Sequence, residues 1–273
     1  MKKYKKAISY ILAFILSLCT IAAVVLGYIN SSFFNEINVR KAMRDTNYYY
    51  NIYSIIKETA NDYVLQSGFD ESVLENVITD IQVQSDMNRV VDCIYNNHKV
   101  EVDTEEIRKT LHENIQKQIQ EQGHTVNEST QADIDEFENS IIDAYKSNMY
   151  YSEQTVNKMS NHIHKIRRSI TTSVIILCIV IAILAFAIFK INEPALGVSL
   201  IITGTIFIIL KTYSVVNIAI NNVLILNWAF SRTITFILNH LIQKIFTTGI
   251  IFIIIGVIAI VLSEFMKLRK DNF

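Results

Sequence analysis

Residues 7–29 run for 23 positions without a charged side chain, and no other feature restricts the fold as much. As an α-helix the run is about 35 Å long, enough to cross a hydrocarbon layer about 30 Å thick. Backbone inside such a layer must satisfy its own hydrogen bonds, which leaves helices or closed barrels. A cleaved secretory signal has a shorter apolar core, about 7–15 residues, and ends in a small-x-small site. The stretch AAVVLGYIN offers only a poor one, and Leu18 before Cys19 does not suit a lipoprotein signal. The run is expected to remain as an anchor.

Three more apolar runs follow, at 169–189, 195–211 and 247–263. Lys211 closes the second of these and can snorkel to an interface. Only 19% of the chain is charged, against about 25% in ordinary soluble domains, which agrees with a membrane protein. The net charge of −1 conceals a segregation: 30–168 holds 14 Lys/Arg and 23 Asp/Glu, the remainder 11 and 3. Two differently charged portions point to two solvents. The acidic portion would repel phosphates, so nucleic acid is not an expected partner.

The expected fold is all-α: an integral membrane protein of four transmembrane helices, with an extracytoplasmic helical bundle, 30–168, between the first two. Lysine and arginine in short flanks set orientation. With both termini cytoplasmic, the tails 1–6 and 264–273 and the loop 190–194 hold eight of them, against Lys211, Arg232 and Lys244 on the outer connection. The expected location is the plasma membrane, multi-pass.

Within 30–168 there is no proline, and glycine occurs only at 68 and 123. Tyr49, Tyr53, Ile56, Ala60 and Tyr63 recur at helical steps. So do Ile107, Leu111, Ile115 and Ile119; then Ile134, Phe137, Ile141, Tyr145 and Met149. Asp103 or Thr104 should cap the second of these helices and Gly123 should follow its end. A last stripe, Val156, Met159, Ile163, Ile166 and Ile170, leads into span two without a breaker. The first and last outer helices are expected to continue spans one and two and to pair as a coiled-coil stalk, the middle helices packing on it.

No motif names a reaction. HENIQ at 112–116 has glutamine where a zinc-protease helix needs its second histidine. The imidazoles of His162 and His164 point about 200° apart on a helix and cannot share a metal. Phosphate-binding loops, nucleophile elbows and CxxC pairs are missing from the sequence. Cys19, Cys93 and Cys178 read as small buried hydrophobes. No catalytic residue, cofactor or metal site is therefore expected.

Two membrane features carry more. Gly197 and Gly204 are seven apart, as are Gly249 and Gly256, so each pair shares a helix face where backbones can approach closely. In an antiparallel pair, Gly204 and Gly256 are expected near one depth. The segment 212–246 is too apolar for a loop and too polar for an easy span. It reads as two amphipathic helices broken near Trp228–Arg232, interfacial or re-entrant. Polar groups at membrane depth need protein or a cavity around them. Asn217, Asn221, Asn222, Arg232, His240 and Lys244 are thus the candidate ligand or partner contacts.

The expected partners are the lipid bilayer and a membrane or envelope protein, or further copies of the chain. The expected function is non-enzymatic: the outer bundle binds or scaffolds an envelope partner. The layout of one span, an outer domain and three spans is similar to that of permeases coupled to a cytoplasmic ATPase. A transporter or permease-type subunit is accordingly the alternative.

Overall fold

The computed structural model describes residues 2–96, 98, 102–123, 127–149, 153–212 and 228–271, and every regular element among them is helical. In chain order these are α1 (Lys2–Phe33), α2 (Glu36–Asp45), α3 (Tyr48–Ser67), a 3-10 turn (Glu71–Leu74), α4 (Asp80–Asn96), α5 (Glu105–Glu121), α6 (Glu128–Met149), α7 (Glu153–Ile191), α8 (Pro194–Thr212) and α9 (Trp228–Asp271). Helices α1, α7, α8 and α9 include stretches long and apolar enough to cross a membrane. The chain divides into two compact units, 1–39 with 165–273, and 40–164.

In the first unit, α8 and α9 lie antiparallel with their backbones close. A methyl built on Gly197 would stand 2.6 Å from the Gly256 carbonyl oxygen, and one on Gly204 would strike that of Gly249. Gly204 therefore faces Gly249, not Gly256 as the spacing suggested. Both facing pairs keep the same register, and the second glycine of each helix meets the first of the other.

Helix α1 lies against this pair through hydroxyl contacts. Ser17 Oγ and Thr203 Oγ1, both buried, are 3.0 Å apart. Tyr28 Oη and Thr248 Oγ1 are 2.6 Å apart. Apolar packing fills the space between, with Phe207, Leu241 and Ile245 against Ile21, Val24 and Ile29. Pro194 opens α8, the first helical position where its missing N–H costs nothing. Near this turn Asn192 Nδ2 donates to Ser9 Oγ at 3.0 Å. Ile188 of α7 packs with Ala13, Leu16 and Ala195, whereas Ile175, Ile176, Ile179 and Ile183 remain largely exposed.

The 40–164 unit buries its own core, drawn mainly from α3, α4, α5 and α6. Ile107, Leu111 and Ile115 of α5, and Ile134, Ile141 and Tyr145 of α6, are almost fully enclosed, as their spacing predicts. Gly68, φ +81°, ends α3 in the left-handed conformation. Along α3 the covered row is Ile52, Ile56, Ala60 and Val64, while Tyr53 is half-buried and Tyr63 is 37% exposed. The tyrosine-led stripe is thus met in part: Tyr49, Ile56 and Ala60 are buried, and Ile52 and Val64 fill the interior in place of Tyr53 and Tyr63.

Two expectations about the stalk are corrected. Helix α1 is not continuous with the first helix of 40–164. It stops at Phe33, where Asn38 Nδ2 donates to the Ser31 carbonyl at 2.7 Å and Asn35 Oδ1 accepts from the Asn38 N–H at 3.2 Å. Such short polar side chains offer the backbone partners that a helix would otherwise supply. A second break falls at Asn47, φ 56°. Helix α7, by contrast, runs unbroken from Glu153 to Ile191. The main packing partner of α3 is α6, not α7. Of the last stripe Val156 is buried, against Val90 and Cys93 of α4, but Met159 and Ile166 are 43% and 46% exposed.

Candidate functional site

Asn217, Asn221 and Asn222 lie outside the described residues. Arg232, His240 and Lys244 stand on α9, all exposed. The helix runs from Trp228 through residue 246 to Asp271 without a boundary, so the expected separation of an amphipathic part from a last span has no counterpart in it. No glycine or proline intervenes before Gly249, and hydroxyls turn back onto helix carbonyls, Thr233 to Ala229 at 3.0 Å and Thr247 to Gln243 at 3.0 Å. With 44 residues, α9 is about 66 Å long, roughly twice what a hydrocarbon core requires.

Four-residue steps arrange the first half of α9 into two rows. Thr233, Ile237, Leu241 and Ile245 are buried. The adjacent row carries Arg232, Phe236, His240 and Lys244, with the His240 ring 4.5 Å from that of Phe236. From α8, Lys211 Nζ donates to Gln243 Oε1 at 2.9 Å and sits 3.8 Å from the centre of the Phe246 ring. A basic and aromatic row of this kind suits the boundary between apolar and aqueous phases.

A second polar assembly lies within 40–164, centred on α4. Asp86 is 4% exposed. Its Oδ2 accepts from the Tyr145 hydroxyl at 2.6 Å, and its Oδ1 faces Arg89 Nη1 at 3.3 Å. Burial first, then the Asp86 carboxylate, raises the Tyr145 phenol far above its ordinary value, with Arg89 acting in the opposite sense. One turn further on, Asp92 accepts from Asn96 Nδ2 at 2.6 Å and lies 3.0 Å from His98 Nδ1. The His98 contact, then that of Asn96, holds the Asp92 carboxyl below its usual range. Between them Asn88 Oδ1 accepts from the Tyr49 hydroxyl at 2.8 Å. Burial raises the Tyr49 phenol although Arg40 and Arg44 pull it down. Burial, then the Asp92 charge, likewise raises the Cys93 thiol, which disfavours the reactive thiolate.

Beside them lies an open concavity of about 420 Å³, lined by Arg40, Ser85, Asn88, Arg89, Asp92, Cys93 and His98. Reading the sequence did not single it out. Ser85, Asn88, Arg89 and Asp92 recur at steps of three, one and three, a polar helical face that periodicity can reveal. Arg40, from α2, belongs to no such pattern.

Across α5 and α6, Glu138 is nearly enclosed and meets His112 Nδ1 at 2.7 Å and Arg108 Nη1 at 3.2 Å. Arg108 Nη2 also donates to Asn139 Oδ1 at 2.7 Å. The histidine of HENIQ is thus engaged with a carboxylate on the neighbouring helix. No protein-family model, curated protein or solved structure matches the chain.

Proposed function

We propose that the chain is a non-enzymatic, multi-pass plasma-membrane protein whose 40–164 unit is displayed outside the cytoplasm to bind or scaffold an envelope partner. The observation that carries this reading is the insertion of a helical unit with its own core between two helices, α1 and α7, that are long and apolar enough for membrane passage. Lysines 2, 3, 5 and 6 before the first and Lys190 after the second support the inside placement of their outer flanks. The Gly197–Gly256 and Gly204–Gly249 contacts serve as the anchor's tight seam. Arg232, His240 and Lys244 serve as its contact with headgroups or a membrane partner.

Protease treatment of spheroplasts and of inverted vesicles tests the placement: cleavage within 40–164 is expected only in spheroplasts. Photo-crosslinkers at Leu65 and Ile81, 73% and 76% exposed, test the partner. Crosslinks to one recurring envelope protein support the reading. The continuity of α7 over 39 residues favours one alternative, a transporter subunit transmitting motion from a cytoplasmic ATPase. A stoichiometric ATPase co-purifying in mild detergent would select it.

A further inference from the structure

We propose that Lys211 of α8, with Gln243 and Lys244 of α9, forms the headgroup site of an anionic phospholipid whose acyl chain lies along an exposed apolar stripe of α9. The site deepens the membrane contact proposed above and rests on α8 and α9 spanning a bilayer. It is independent of which leaflet they meet at this end.

No acidic residue stands between Glu193 and Glu264, a stretch that holds Lys211, Arg232 and Lys244. The unit 1–39 with 165–273 contains four acids, Glu36, Glu193, Glu264 and Asp271. Gly197 faces Gly256 and Gly204 faces Gly249, so Glu193, Glu264 and Asp271 belong to the opposite end of the α8–α9 pair from Lys211. Glu36 follows α1, and α1 packs against Leu241 and Ile245, about 200° round α9 from Gln243. Among the described residues Lys211 meets neutral groups, Gln243 Oε1 at 2.9 Å and the centre of the Phe246 ring at 3.8 Å. These orient the ammonium without cancelling its charge.

An ammonium has donors and no acceptor, so the Gln243 amide turns its oxygen to Lys211 and keeps its NH2, two donors, for an anion. Lys244 adjoins Gln243 and is exposed. With 19 residues, α8 is about 28 Å long, close to the thickness of a hydrocarbon core, which sets Lys211 at the level of headgroup phosphates. Two turns after Gln243 and on its face of α9, Ile250, Ile254, Val257 and Val261 recur at steps of four, three and four. All four remain exposed. Donors at one end of an apolar stripe fit an amphiphile, phosphate on the lysines and chain on the helix.

The test counts lipid retained, by native mass spectrometry, on the full chain purified from micelles holding equal phosphatidylglycerol and phosphatidylcholine. Selective retention of phosphatidylglycerol is expected. Lys211→Gln and Lys244→Gln should each lower that selectivity about fivefold, the effect of one cation near an anionic surface. Lys190→Gln, over the Phe186 ring at the opposite end, should leave it unchanged. Thermal unfolding followed by circular dichroism checks that each variant is folded. Equal retention of both lipids, or parent-like selectivity in both lysine variants, overturns the site. Displacement of the lipid by glycerophosphoglycerol, its headgroup without the chains, assigns the cluster to a soluble anion and overturns it also. A chain that stays dissolved without amphiphile refutes instead the spanning of α8 and α9, so the two failures are distinguishable.

Discussion

Replacing Gly204 by alanine forces a methyl carbon against the Gly249 carbonyl oxygen and to 2.7 Å from Ile253 Cγ1. Ordinary contact begins near 3.4 Å, so the shortfall is about 0.7 Å. The isoleucine tip can rotate, but the carbonyl belongs to the backbone of α9, and the two helices must move apart to relieve it. A gap of about 0.5–1 Å forfeits a quarter to a half of the dispersion energy of each contact it opens. Overpacking of this type costs about 1–3 kcal/mol. Gly27 on α1 provides the control, because a methyl there has no neighbour within 4 Å. Its substitution should be neutral or stabilising by about 0.5–1 kcal/mol through backbone entropy. Both substitutions gain that backbone term, so the two alanine variants should differ by about 1–3 kcal/mol in unfolding free energy. Denaturant titration in mixed micelles, followed by circular dichroism, measures it. Gly204→Ala unfolding at the same midpoint as Gly27→Ala would show that α8 and α9 do not meet in this register.

Thr203→Val should destabilise the packing of α1 on α8 by about 0.6–2 kcal/mol, since it removes the contact with Ser17. Thr205→Val, whose hydroxyl only returns to the Ile201 carbonyl on an exposed face, should be silent in the same titration. Tyr145→Phe leaves one oxygen of the buried Asp86 without its donor and should cost about 1–3 kcal/mol. Adding Asp86→Asn should recover part of that loss in a double-mutant cycle. Alkali should weaken the 40–164 unit specifically. The folded-state pKa of Tyr145 is raised, so its stabilisation is whole below the unfolded value of about 10 and declines as pH rises beyond it. The slope should be about 1.4 kcal/mol per pH unit for this tyrosine, and Tyr145→Phe should remove it.

Much of the chain's character follows from its residues alone. Four apolar runs mark α1, α7, α8 and α9 as helices long and apolar enough to cross a membrane, since a helix satisfies its own backbone hydrogen bonds. The stripes of α5 and α6 announce their buried faces, because periodicity decides which side chains share a side. The seven-residue glycine spacing marks the close faces of α8 and α9 for the same reason.

Periodicity does not decide which face meets which. Tertiary packing chose α6 as the main partner of α3 and set Gly204 against Gly249. Both pairings depend on the fit of side chains far apart in sequence. Local polar competition at Asn35 and Asn38 ended α1, a choice invisible to a pattern of apolar positions. The polar assembly was least legible. Asp86 is tolerable in the interior because Arg89, one turn on, faces one oxygen and Tyr145, 59 residues away, donates to the other. Arg40 reaches α4 through the packing of α2. A charge is stable at a given depth according to the partners that surround it, and the folded chain alone brings those partners together.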